Sequence, residues 1–319
     1  VGCALVVLAA SACAGPTPVA RLSPGNHEIT LRVAGTDRLY LVRVPPADAP
    51  PAGYPVVLAF HGGGGTPWQF RDDSRRSALA DREGFVLVHP AGTPPRGLRR
   101  RFMTWNAGGC CGRAGRDGVD DVAFVAALLD DLPRRLPVDS RRVYATGHSN
   151  GGMITMRVGA ELPERFAAIA PLGGVPRMEA FPPRQALPVL HIHSVDDPRA
   201  LFAGGLGPPF PLTRTRVDHA SVMTALDAWR RASGCEARTR EGDVRRWTAP
   251  DGSVHTATRV AWQGCREDAP VVLLRLTGAG HGWPGTRTGR ERLIGPHTEV
   301  VDADEEIWAF FARHEKPGP

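Results

Sequence analysis

Lysine is almost missing from this chain: of 39 basic residues only Lys316 is a lysine, and the rest are arginine. The arginines are spread over the whole length. The formal net charge of +6 therefore does not mark out the basic face that a nucleic acid would require. Cysteine is scarce as well, six in 319 residues. No CxxC pair or histidine-rich cluster accompanies them, which excludes a metal centre of the zinc-ribbon kind. No apolar run is long enough to span a bilayer. The glycine run at 62–65 is not followed by Lys-Ser/Thr, so it lacks the parts of a phosphate-binding loop.

What is present is an ordinary globular composition, 42% hydrophobic and 23% charged, with length for a full core. Residues 1–20 are set apart as a leader and linker. Gly2 to Ala12 is apolar and small, uncharged until Arg21, and too short to span a membrane. The run ends Ala10-Ser11-Ala12-Cys13, which resembles a bacterial lipoprotein cleavage site with Cys13 as the lipidated residue. That anchor is the sole membrane contact expected, and an exported, extracytoplasmic protein is implied. Residues 21–319 are expected to form a single α/β domain.

Within that domain, alternating hydrophobicity at 28–34 and 38–44 predicts an opening hairpin, and continuous apolar runs at 56–60, 85–88, 143–146, 166–170, 189–193 and 271–277 predict buried strands. Helices are expected at 66–81, 119–132, 150–161, 217–232 and 302–314. Thr66-Pro67 caps the first and Asp120 the second. Asp251-Gly252 marks a second hairpin between 244–249 and 254–262. Strands alternating with helices predict a mostly parallel sheet covered on both faces. Residues 90–118 form a long Gly, Pro and Arg-rich loop, a length more often functional than idle. It carries Arg96, Arg99, Arg100 and Arg101, either a solvated cluster or a contact for an acidic or polysaccharide substrate.

The chemistry centres on Gly147-His148-Ser149-Asn150-Gly151, at the junction of a predicted strand and helix. In that context the pentapeptide exposes a nucleophilic serine on a sharp turn, and Gly147 and Gly151 relieve the crowding around it. A serine hydroxyl needs a base to take its proton and an acid to orient that base. His281, in a glycine-rich loop after the last core strand, is the expected base. His61 is expected to hold the glycine loop, His148 lies within the turn, and His255 and His297 read as surface residues. Asp196 and Asp197 both follow the strand at 189–193, and physics alone leaves them equal as the acid. Backbone N–H groups of Asn150 and of the glycine run, Gly63 ahead of Gly64, would form the oxyanion hole.

These pieces stand among further motifs: His61-Gly-Gly-Gly-Gly65, Trp105-Asn106, Cys110-Cys111, Asp120-Asp121-Val122-x-Phe124, Arg142 through Met153, His193-Ser-Val-Asp-Asp197-Pro198, Gly280-His281-Gly-Trp283-Pro284-Gly285 and Ile307-Trp308-x-Phe310-Phe311. In that order they resemble the bacterial polyhydroxybutyrate depolymerase and feruloyl esterase family, related to carbohydrate esterase family 1 within the α/β-hydrolases. The resemblance implies an α/β-hydrolase fold and a cofactor-free serine esterase acting on feruloyl, acetyl or hydroxyalkanoate-type esters, polymeric ones included. It places the acid on Asp197. Ser194 departs from the family's glycine, and Arg199-Ala-Leu-Phe202 departs from its Val-Pro-Tyr segment. Trp105 and Trp283 are candidate substrate-binding residues, forming an aromatic wall, or else core packing. Cys235 and Cys265 bracket the second hairpin and are expected to pair, which leaves Cys110 and Cys111 bonded to each other or reduced. A non-catalytic, carbohydrate-binding surface lipoprotein on the same fold is the competing expectation.

Overall fold

The computed structural model describes residues 20–73, 75–210, 215–266 and 268–317. The expected leader with Cys13 lies outside them. The chain opens with the antiparallel hairpin β1 (Gly25–Val33) and β2 (Thr36–Val44), then β3 (Tyr54–Phe60), α1 (Pro67–Asp72), α2 (Arg76–Glu83) and β4 (Val86–Pro90). After the long loop and its short helix α3 (Gly112–Arg116) come α4 (Asp121–Arg135), β5 (Val138–His148), α5 (Asn150–Glu161), β6 (Ala168–Leu172) and β7 (Val189–Ser194). The two-residue strands β8 (Gly205–Leu206) and β9 (Asp218–His219) precede α6 (Val222–Ala232). The hairpin β10 (Thr239–Thr248) and β11 (Val254–Trp262), then β12 (Val271–Thr277), α7 (Glu291–Ile294) and α8 (Ala303–Phe311), complete the order.

Ten strands form one sheet in the order β1-β2-β4-β3-β5-β6-β7-β12-β11-β10. The six central strands run parallel, and an antiparallel hairpin extends the sheet at each edge. Strand β3 shows why the centre reads as a continuous apolar run. Val56, Leu58 and Phe60 pack with α4, α5 and α6 on one face, while Val57 and Ala59 pack with α2 and α8 on the other. The outer strand β10 is almost wholly exposed, and arginines at 240, 245 and 246 discourage edge-to-edge pairing.

Two expected caps are present: Thr66 Oγ1 accepts from Gln69 N at 3.2 Å, and Asp120 Oδ1 from Ala123 N at 2.8 Å. The expected helix 66–81 is instead two helices. Asp72 and Asp73 are poor interior helix formers, and Asp73 N–H closes the first helix on Gln69 O. The second helix carries Arg76 into the core, where Nε bonds Asp304 Oδ1 at 2.7 Å. The helix expected from 217 begins at Val222, because Asp218–His219 pair with Gly205–Leu206.

Asp121, next to the cap, has no exposed surface and accepts from Arg38 Nη2 at 2.6 Å and Asn106 N at 2.7 Å. It thereby ties the long loop to the sheet. Cys235 and Cys265 are disulfide-bonded, as expected, 30 residues apart. On the chain-entropy account, replacing both by serine lowers the unfolding free energy by about 3–4 kcal/mol. Urea unfolding monitored by circular dichroism checks this, and an unchanged midpoint would contradict it.

Candidate active site

Ser149 caps α5 at φ 58°, ψ −120°, a left-handed conformation that an ordinary residue adopts only under constraint. The constraint is packing. A Cβ on Gly147 would sit 2.4 Å from Gly151 O, and one on Gly151 would sit 2.1 Å from Phe60 O. Only glycine fits either place, so strand β5 can turn straight into α5. The serine N–H donates to Leu172 O at 2.8 Å, which fixes the turn against β6.

His281 reaches the serine from the loop after β12. Its Nε2 lies 2.8 Å from Ser149 Oγ, and its Nδ1 lies 2.6 Å from Asp197 Oδ2. An ionised carboxylate only accepts, so Nδ1 carries the proton and Nε2 accepts from the serine hydroxyl. Burial alone would raise the Asp197 carboxyl. The His281 charge and hydrogen bonds from His281 and the Arg199 amide outweigh it and hold the pKa down to about 2. The other oxygen, Oδ1, accepts from the Arg199 and Ala200 amides at 2.7 and 2.8 Å. Asp196 points elsewhere: its Oδ2 accepts from Gly278 N at 2.7 Å.

Three neighbours brace this line, and sequence reasoning assigned none of them a part. Ser194, the departure from the family glycine, donates to Ala279 O at 2.6 Å and accepts from Asp196 N at 3.2 Å. It couples the Asp197 loop to the His281 loop. His148 Nε2 donates to the backbone carbonyl of His281 at 2.6 Å, and burial, then the His281 charge, lowers its pKa to about 3. His193 Nε2 bonds Ala200 O at 2.8 Å and is kept neutral chiefly by burial. The signals were in the sequence, as a histidine inside the pentapeptide and one at the head of the acid motif, but a carbonyl partner leaves no sequence trace.

The glycine run lies against the serine turn. A Cβ at Gly63 would be 3.3 Å from Asn150 Cβ, and one at Gly62 3.5 Å from Ser149 Cβ. Gly64 N–H is spent on Met103 O at 2.8 Å and Gly65 N–H on Gly62 O at 3.0 Å, which sets Gly63 apart from the two glycines that follow it. His61 holds the run as expected: Nδ1 donates to Gly62 O at 2.9 Å and Nε2 accepts from Gly92 N at 3.0 Å. Burial lowers its pKa to about 4, which preserves that donor–acceptor arrangement. The Asn150 side chain clamps the Trp105 backbone through bonds of 2.7 and 3.1 Å.

Ser149 and His281 open onto a cleft of about 410 Å³, a size that suits a small molecule or one end of a polymer. Trp283 lies in its wall, with its indole N–H on Asp304 Oδ1 at 3.1 Å and Arg76 4.4 Å above its ring. The expectation for Trp105 is corrected. It has no exposed surface, donates to His61 O at 2.9 Å and packs edge-on to Phe60, so it supports the glycine run from beneath and is not part of the wall. Cys110 and Cys111 are disulfide-bonded to each other and do line the cleft. The cluster Arg96, Arg99, Arg100 and Arg101 does not. It is exposed, and Arg100 pairs with Glu28.

Comparisons with known proteins identify the family. The sequence profile of the family described as Esterase PHB depolymerase matches residues 38–208. NocK of Nocardia uniformis subsp. tsuyamanensis, an esterase by name, is 32% identical over 297 residues, covering 88% of this chain and 81% of its own. A bifunctional acetylxylan esterase/xylanase of Neocallimastix patriciarum is 25% identical over 83% of the chain, which spans only 32% of that larger protein. Among solved structures, the acetyl xylan esterase of Aspergillus awamori superposes with a TM-score of 0.56 at 15% identity, over 89% of this chain and 98% of that one, a likeness of fold. The chain belongs to the PHB depolymerase esterase family and is a carboxylic ester hydrolase of the α/β-hydrolase fold.

Proposed function

We propose that Ser149, His281 and Asp197 act as a nucleophile–base–acid triad in one exported esterase domain, residues 21–319. The observation that carries the proposal is the unbroken hydrogen-bonded line from Ser149 Oγ through His281 to Asp197. Ser149 Oγ attacks the ester carbonyl as His281 Nε2 takes its proton, and Asp197 stabilises the resulting imidazolium. The carbonyl oxygen becomes an oxyanion bound by the amides of Gly63 and Asn150. His281 returns the proton to the departing alcohol. Water then hydrolyses the acyl-enzyme by the same steps in reverse order.

The substrate is a feruloyl or acetyl ester on a polysaccharide, or a polyhydroxyalkanoate-type polyester. The site lies in an open cleft, and the family spans esterases and depolymerases of such polymers. Export follows from the leader at 1–20, anchored through Cys13, and suits a chain with two disulfides. A polymer that cannot cross the envelope tests location and substrate together. Intact producing cells should release acid from feruloylated or acetylated xylan or from polyhydroxybutyrate particles. Activity that emerges only after lysis, or on none of the three, would contradict the proposal.

A further inference from the structure

We propose that the Cys110–Cys111 disulfide, with Met153, Phe210 and Val217, is the acyl-side specificity surface of the cleft and selects acids with an apolar chain or ring over acetic acid. The inference rests on the assignment of Ser149 and His281 above, because that assignment orients the substrate. The leaving oxygen must face His281 Nε2, which protonates it, and the oxyanion must face the Gly63 and Asn150 amides. The acyl carbon chain takes the direction that remains.

The two sides of the cleft differ in chemistry. The segment that follows His281 supplies Thr286, Thr288 and Arg290, groups suited to a hydroxylated alcohol, beside the apolar Trp283, Leu293 and Ile294. Around Asn150 the lining is rich in sulfur and apolar groups, with Arg199 over the Phe210 ring at 5.9 Å and His219 also lining the cleft. Cys110 Sγ is 4.0 Å from Asn150 Nδ2, and the Phe210 ring is 3.6 Å from a Cβ built on Gly63. Met153 follows Ser149 by one helical turn, and its N–H donates to the serine carbonyl at 2.9 Å. Ala107, Cys110, Cys111, Met153 and Val217 form a cluster of their own, with Phe210 packed on it, separate from the two core layers that cover the sheet.

Sulfur is polarisable and makes favourable contacts with apolar chains and ring edges. The disulfide adds preorganisation. It locks two adjacent side chains into one surface, while the Ala107 and Cys111 amides hold the surrounding turn on Cys110 O and Trp105 O at 2.6 and 3.0 Å. An acetyl group brings a single methyl to this surface, whereas a butyryl, hydroxyalkanoyl or aryl-propenoyl group brings several apolar carbons.

The test compares ethyl cinnamate with ethyl acetate, which share a leaving alcohol, in a pH-stat assay of the intact chain. The readout is the ratio of kcat/KM for the two esters. Wild type should favour the cinnamate by about tenfold or more, as burial of several carbons in an apolar pocket gives. The Cys110→Ala/Cys111→Ala double variant should collapse that ratio. Val217→Trp, which fills the surface and keeps the disulfide, should lower it by about tenfold as well. Labelling of Ser149 by a fluorophosphonate verifies that each variant is folded. A wild-type preference for acetate, or a ratio unchanged in both variants, overturns this inference while leaving the triad assignment intact. No hydrolysis of either ester by wild type would overturn both.

Discussion

Ser149→Ala is expected to lower kcat on a simple carboxylic ester by roughly a millionfold, the loss seen when the nucleophile of a serine triad is removed. The size follows from what the hydroxyl does. In the proposed mechanism its oxygen bonds the acyl carbon, and it lies 2.8 Å from His281 Nε2, which would accept its proton. Alanine leaves the oxyanion donors and the cleft in place, so a residual rate about a thousandfold above water is expected from these alone. KM should change little. The fold should not suffer, because alanine carries the same Cβ at φ 58° that serine does, and the serine side chain makes no capping bond to α5. A thermal midpoint equal to wild type, beside the lost activity, separates chemistry from unfolding. Retention of even one per cent of turnover would contradict the assignment.

Asp197→Asn is expected to lower kcat by about ten-thousandfold, and Asp196→Asn by far less. The geometry distinguishes the neighbours. Asp197 Oδ2 is 2.6 Å from His281 Nδ1, whereas Asp196 Oδ2 is engaged by the Gly278 amide. An asparagine amide at 197 would turn an N–H toward Nδ1. The imidazole proton would then move to Nε2, where it faces the serine and cannot accept from it. The pH dependence has a definite sign. The folded-state pKa of Asp197 is depressed to about 2, below the ordinary aspartate value of about 3.9. Its contribution to stability is therefore fully present above about pH 4 and lost as pH falls through about 2. Loss of that charge should make Asp197→Asn less stable than wild type at neutral pH, with the gap closing in acid. A larger activity loss from Asp196→Asn would reverse the choice between them.

Much of this is written in the sequence because local physics and global packing agree. The Gly-x-Ser-x-Gly turn needs two positions without Cβ, and contacts of 2.4 and 2.1 Å explain why both are glycine. Thr66 and Asp120 announce helix starts through side-chain acceptors, and both are found capping. The apolar runs are strands because each is covered on both faces. The expected pairing of Cys235 with Cys265 needed only the hairpin between them.

What stayed illegible depends on contacts between distant backbone atoms. Nothing in Asp196-Asp197 says which carboxylate faces inward, since the answer lies with the amide of Gly278, more than eighty residues on. The tether from His148 to the His281 carbonyl and the strut from Ser194 to Ala279 are of the same kind. The Trp105-Asn106 motif is compatible with a cleft wall and with core packing alike. The decisive fact is a bond from its indole to His61 O across 44 residues. The break between α1 and α2 had a local signal in its paired aspartates, but the buried ion pair of Arg76 with Asp304 gives the break its direction.

The central claim is that Ser149 carries the acyl group during turnover. Intact-protein and peptide mass spectrometry after reaction with a fluorophosphonate tests it most directly. The account predicts one adduct per chain, located on Ser149, in step with loss of esterase activity, and none on Ser149→Ala. Full inhibition with the adduct on another residue, or continued hydrolysis by a chain fully labelled at Ser149, would contradict it.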